Sequence, residues 1–206
     1  MSKVNPSFSN EIDIIQGPVL ASTSPFRAAQ LQQMGLLFDK SSPEVDETPF
    51  KSETPGALVR RLGQEKALAV AKKHSNRVVI GGDQIAVFNG EILGKPGSAA
   101  NAERQLLRFA GNRVTFLTHC TVAAFGGLSQ WHHTDTTHVH FRPLGLEEIK
   151  RYVAHENPIN CAGGFKIEQL GVSLFSHVSS EDPSALIGLP LIFVCRALRH
   201  YGFHLP

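Results

Sequence analysis

Residues 77–96 read "RVVIGGDQIAVFNGEILGKP": an apolar run, two glycines, an acid, a second apolar run, and then Asn89-Gly90 before a third. Asn-Gly between β-prone runs is a strong short-range hairpin signal, because both central residues of the matching turn need positive φ. Strands are therefore expected over "RVVIGGDQIAVF" and "EILGKP". A two-residue turn sets Phe88 against Glu91, Ile85 against Gly94 and Gln84 against Lys95. Lys95 then lies diagonally beside Asp83, with the two side chains on opposite faces in ideal register. A bulge at the glycines, or a strand ending near Asp83, would bring them together. Glycine inside a strand marks close approach of another group to the backbone. Asp83 thus follows a bared stretch of strand, in a place suited to a general base, a metal ligand or a hydrogen-bonded acid.

Upstream, residues 20–31 read "LASTSPFRAAQL". Ser24 is a strong N-cap and Pro25 suits the first helical position. The start of a helix offers unpaired N–H groups and partial positive charge, which together make an anion site. Ser22, Thr23 and Ser24 add hydroxyls there, and Arg27 adds a planar fork that fits phosphate. The competing reading is an ordinary capped strand-to-helix turn. In "GALVRRLGQEKALAVAKKH", Leu58, Leu62 and Lys66 run i, i+4, i+8, which places a lysine on the apolar stripe of a helix. A lysine there either faces a polar cleft or snorkels from the margin. Further helices are expected over "SAANAERQLLRFAG", "LGLEEIKRYVAHE" and "LPLIFVCRALRHYG". Further strands are expected over "LLFDKSS", "RVTFLTHCTVAAF", "WHHTDTTHVHFR" and "VSLFSHVS". Strands and helices without strict alternation predict an α/β or α+β fold. The expected architecture is an elongated mixed β-sheet flanked by helices, two lobes with a central cleft.

The chain has 206 residues and a formal net charge of +2, with basic residues spread along it, so nothing announces a nucleic-acid partner. Cys120, Cys161 and Cys195 are far apart and odd in number, which suits a reducing cytoplasm better than a disulfide framework. The longest apolar stretch, "ALIGLPLIFVC", is 11 residues broken by Pro190, whereas a membrane span needs about 20. A cytoplasmic protein with no membrane association is expected. Residues 1–17 lack an apolar signal segment and read as a flexible polar extension, leaving residues 18–206 as one domain. "WHHTDTTHVHF" offers four histidines with Asp135, either a zinc site or wet strand positions. "CAGGFKIEQLG" is either a ligand-hugging loop or a plain surface loop.

Taken in order, "LASTSPFRAAQL", "PEVDETP", "LGQEKALAVA", "VIGGDQ", "ILGKP", "CAGGFKIE" and "GLPL" resemble the Maf family of nucleoside triphosphate pyrophosphatases, from about residue 18 to the end. The resemblance implies a fold similar to that of inosine triphosphatases. It also implies hydrolysis between the α- and β-phosphates of a nucleoside triphosphate, with Asp83 activating water. Ser22, Ser24, Arg27, Lys66 and Lys95 match phosphate-contacting positions. Glu47, in the "VDE" segment, would join Asp83 in holding Mg²⁺ or Mn²⁺, and relatives suggest a homodimer. Phe26, Gln84 and Glu168 look like the family's 7-methyl-GTP branch rather than its dTTP/UTP branch. N7-methylated guanine is cationic, so an aromatic face at Phe26 and a carboxylate at Glu168 complement it. Gly82, His119 and Gln169 depart from the family's usual residues, and none of them is a charged catalytic position. A nucleotide-binding regulator of septum formation and a histidine-ligated zinc hydrolase are the competing functions.

Overall fold

A computed structural model describes residues 12–206. Residues 1–11, most of the expected extension, lie outside the described residues. Residues 12–17 lie against the body. The Asp13 amide donates to the Asn76 carbonyl at 2.8 Å, and buried Arg77 donates to the carbonyls of Gln16 and Gly17 at 2.9 and 2.7 Å.

Among the described residues, seven strands form one mixed sheet in the order β2-β1-β3-β5-β6-β7, with β4 paired to β3 on the edge that also carries β1. β1 (Val19–Ala21) runs parallel to β2 (Asp39–Ser41) and to β3 (Val79–Phe88). β4 (Glu91–Leu93), β5 (Arg113–Ala124), β6 (Ser129–Phe141) and β7 (Phe175–Ser179) pair antiparallel. The sheet is flanked by the α-helices α1 (Pro25–Gln33), α2 (Pro55–Ala71), α3 (Ala99–Phe109), α4 (Leu146–Glu156) and α5 (Leu191–His200). Among the described residues no helix is long and apolar enough to cross a membrane.

The two lobes correspond to separate apolar clusters along the long strands. Ile80 and Val122 pack with Leu31 of α1 and with Phe193 and Leu198 of α5. Farther along the sheet, Phe88, Phe116 and Phe141 pack with Phe109 of α3 and Ile149 of α4. The opposite face at the first end is covered by α2, through Ala67, Val70 and Ala71. Val79 through Val87 pair without interruption to β5, so there is no bulge at Gly81-Gly82. On its other edge β3 changes partner. β1 pairs with residues 79–81 and β4 with residues 86–88, so Gly82, Asp83, Gln84 and Ile85 have no strand beside them. The cleft opens at this gap.

Candidate active site

The gap explains how neighbouring residues on opposite faces serve one cavity. Asp83 faces α2, and Gln84 faces the segment at 185–186. Both line a cleft of about 820 Å³. The other residues singled out in the sequence line it too: Ser22, Ser24, Phe26, Arg27, Glu47, Lys66, Lys95 and Glu168. The Asp83–Lys95 question is settled by β4. Its pairing stops at Ala86–Leu93, so the expected Ile85–Gly94 and Gln84–Lys95 pairs do not form, and Lys95 leaves the sheet into the cleft. Pro96, which has no N–H to give to a ladder, follows immediately.

Lys66 is the buried lysine that the stripe predicts, 7% exposed. Its Nζ lies 2.7 Å from Asp83 Oδ1 and 2.7 Å from Glu47 Oε1. A buried ammonium needs such partners, and here it draws together a strand carboxylate and a loop carboxylate. Close packing makes the contact reachable. A Cβ on Gly81 would lie 2.5 Å from the Ala67 amide nitrogen, and one on Gly63 would lie 2.7 Å from the His119 ring. The glycines therefore let α2 rest directly on the sheet, with Lys66 between the two contacts.

Across the cleft, α1 is capped as its sequence predicts, with Ser24 Oγ accepting from the Arg27 amide at 3.4 Å. Ser22 Oγ accepts from the Ser24 amide at 3.1 Å and from Arg27 Nη1 at 3.4 Å. Its own hydroxyl hydrogen stays free for an incoming acceptor. The amides of Thr23 and Phe26 have no hydrogen-bond partner among the described residues. Arg27 Nε donates to the Gly188 carbonyl at 3.1 Å, which turns the guanidinium along the cleft wall. Burial pulls its pKa below the usual arginine value, against the attraction of Asp83 and Glu47. A poorly hydrated cation beside free amides suits an anion.

The residues from 182 to 191 organise this wall, and sequence reading gave them no role beyond the "GLPL" resemblance. The Ser184 and Leu189 carbonyls accept from Gln30 Nε2 at 2.8 and 3.2 Å. The Ala185 and Leu186 carbonyls accept from Gln84 Nε2 at 2.9 and 3.1 Å, and Thr118 Oγ1 also donates to Ala185 at 3.0 Å. Buried Asp182 holds the segment by accepting from the amides of Ser184 and Ile192 at 3.0 and 2.8 Å. Asp135 accepts in turn from the Asp182 amide at 3.0 Å, from Thr137 Oγ1 at 2.8 Å and from Ser180 Oγ at 2.9 Å. Asp135 is thus a structural acceptor. Of the histidines weighed with it, His138 bonds Thr115 and His140 stacks on His177 at 3.8 Å. The Asp182-x-Ser184 spacing, an Asx turn ahead of a helix, was the available local signal.

In the glycine-rich loop, Gly171 has to be glycine, because a Cβ there would lie 2.2 Å from the Lys166 carbonyl oxygen. Lys166 Nζ is spent on the Glu156 carbonyl at 2.6 Å, whereas Glu168 is exposed to the cleft. Among the described residues no three His, Cys, Asp or Glu side chains gather as a metal site. Asp83 and Glu47 nonetheless suit a hard cation, since each uses one oxygen on Lys66 and keeps the other.

An α/β sheet split by a cleft, with a capped helix start and Arg27 across from a carboxylate pair, is the setting in which the family relationship falls. Residues 18–201 match the Maf-like protein family, and the chain belongs to it. It is 48% identical over 188 residues to the 7-methyl-GTP pyrophosphatase of Xanthomonas oryzae pv. oryzae (strain MAFF 311018), covering 91% of this chain and 98% of that protein. The 7-methyl-GTP pyrophosphatase of Alcanivorax borkumensis is 47% identical over 189 residues, covering 91% of this chain and 95% of that one. The solved structure of the Staphylococcus aureus Ham1 protein matches 88% of this chain and 98% of that chain at a TM-score of 0.45 and 15% identity.

Proposed function

We propose that this protein hydrolyses nucleoside triphosphates between the α- and β-phosphates, releasing pyrophosphate, and that 7-methyl-GTP is its preferred substrate. The observation that carries the reading is the pair of carboxylates, Asp83 and Glu47, on Lys66 Nζ, in one cleft with the helix-start turn and Arg27. In this reading the Ser22 hydroxyl, the free amides of Thr23 and Phe26, and Arg27 hold the phosphates. Asp83, through the oxygen Lys66 leaves free, takes the proton from water as it attacks the α-phosphorus. Lys66 and Lys95 offset the negative charge that moves onto the pyrophosphate leaving group. Mg²⁺ or Mn²⁺ held at the Glu47 oxygen that Lys66 leaves free, beside Asp83, would neutralise phosphate charge.

The base is read by atoms of fixed polarity. Gln84 commits its amide nitrogen to Ala185, Leu186 and Thr118, so its Oε1 is left as the acceptor. Glu168 adds a second acceptor of negative charge. Guanine offers N1–H and N2–H donors to match, and half-buried Phe26 offers a ring face to the methylated, cationic base. Identity with proteins named for that activity supports the same substrate.

Pyrophosphate release measured over a panel of 7-methyl-GTP, GTP, dTTP and UTP, with Mg²⁺ or Mn²⁺ added, tests the reading. Asp83→Asn is expected to fold normally and turn over at least about 100-fold more slowly, the scale of a lost general base. Glu168→Gln should narrow the preference for 7-methyl-GTP over dTTP. Release from none of the four would favour the regulator reading. A wild type preferring dTTP or UTP would overturn the base assignment and leave the pyrophosphatase intact.

A further inference from the structure

Glu47 reaches Lys66 from a segment with little holding it. Residues 42–53 contain no helix or strand, and the Glu47 side chain is 63% exposed. One side chain of α2 gathers this segment. Arg61 grips Glu53 with two parallel bonds, Nε to Oε1 at 2.8 Å and Nη2 to Oε2 at 2.9 Å. Its Nη2 also donates to the Thr48 carbonyl at 3.1 Å, and its guanidinium lies 4.0 Å from the centre of the Phe50 ring. Glu65, one turn on, accepts from Nη1 at 3.2 Å and steadies the group. The Thr48 carbonyl belongs to the Thr48–Pro49 peptide, one residue beyond Glu47, so holding it anchors the backbone from which the Glu47 side chain reaches Lys66.

We infer that Arg61 is a positioning residue that latches the 47–53 segment to α2 and so presents Glu47 to Lys66 and the substrate. The latch is built to last. The ion pair is well covered, with side-chain exposures of 15% for Arg61 and 7% for Glu53. A bidentate arginine–carboxylate pair fixes geometry as well as charge, which a lysine cannot reproduce. The Arg61 bonds hold the Glu53 carboxyl down to about 2, so the pair stays charged at any working pH. Arg61 and Lys66 both sit on α2, five residues apart, so the latch and the ammonium move as one body.

The functional half of this inference rests on Glu47 taking part in the reaction proposed above, and the experiment separates the two. Endoproteinase Lys-C cutting at the exposed Lys51–Ser52 bond, followed by mass spectrometry, reads the latch with no reference to activity. Arg61→Ala should speed that cut at least about fivefold by local opening, with Arg61→Lys between it and wild type. Pyrophosphate release should show kcat down about tenfold in Arg61→Ala with KM for the nucleotide little changed. The double variant Arg61→Ala/Glu47→Ala should be no slower than Glu47→Ala alone, because residues acting through one another are not additive. Glu53→Gln, which keeps shape and removes the charge, should fall between Arg61→Lys and Arg61→Ala in both assays. An unchanged Lys51 cut in a folded Arg61→Ala protein would overturn the latch. Additive losses in the double variant would overturn its action through Glu47. Full activity in Glu47→Ala would remove the role of Glu47 itself, leaving the cleavage result to stand alone.

Discussion

His119 sits opposite Asp83 in the β3–β5 register, with both ring nitrogens taken: Nδ1 by Thr134 Oγ1 at 2.7 Å and Nε2 by Thr121 Oγ1 at 3.2 Å. Burial, then the neighbouring His132, Arg60 and His133, push its pKa down to about 4. The folded value lies below the 6.5 of an ordinary histidine, so the unfolded chain binds this proton more readily. The resulting stability is present above about pH 6.5 and drains away as pH falls toward about 4. Wild type should therefore lose about 2 kcal/mol more than His119→Gln between about pH 7.5 and about pH 5, followed by urea unfolding. Equal losses in the two proteins would mean the ring protonates freely in the fold. The sequence marked His119 only as an oddity. Its burial depends on Gly63, more than fifty positions away, which has no side chain to contest the space.

Among elements, α2 and β3 carry the candidate chemistry, and their separation is set by Gly81. Gly81→Ala would force its Cβ against the Ala67 backbone, which cannot swing aside as a side chain would. It should cost about 1–3 kcal/mol by overpacking, and lower kcat by lifting Lys66 off Asp83. Gly56→Ala, in the first turn of the same helix, meets only the Arg60 side chain at 3.5 Å. It should raise stability by up to about 1 kcal/mol through helix propensity. Thermal unfolding of both variants checks the opposite signs, and a stable Gly81→Ala with full kcat would refute the contact argument. The helix and strand were legible because periodicity and turn chemistry are local. The Asn89-Gly90 turn gave Phe88–Glu91 correctly. The strand read over "VSLFSHVS" begins only at Phe175, because Leu170–Leu174 winds into a 3₁₀ turn that buries Leu174. An apolar run of that length does not distinguish the two conformations.

At the scale of the whole molecule, long-range ties to carbonyls hold the edges, and carbonyls leave no trace in a sequence. Arg77 reaches back to the carbonyls of Gln16, Gly17 and Pro18 and to Asp39, which closes the end of the sheet beside β1. Arg77→Met strips buried acceptors of their donor. The expected loss is about 2–4 kcal/mol in denaturant unfolding. Because Arg77 does not line the cleft, kcat should be unchanged. The 182–191 wall escaped the sequence for the same reason, since its partners Arg27, Gln30, Gln84 and Thr118 bond main-chain oxygens.

The unpaired stretch of β3 carries one more constraint, and it is arithmetical. Side chains alternate between faces, so Ile80 and Phe88 reach the clusters of the two lobes on one face only because the step from one to the other is an even number of positions. Loss of Gly82 alone would turn Phe88 away from its cluster and exchange the sides of the acid and the amide. Loss or gain of two would keep every side chain on its own face, while moving the register with β5 by two residues on one side of the change. The stretch has a parity, and a viable change in its length comes in pairs.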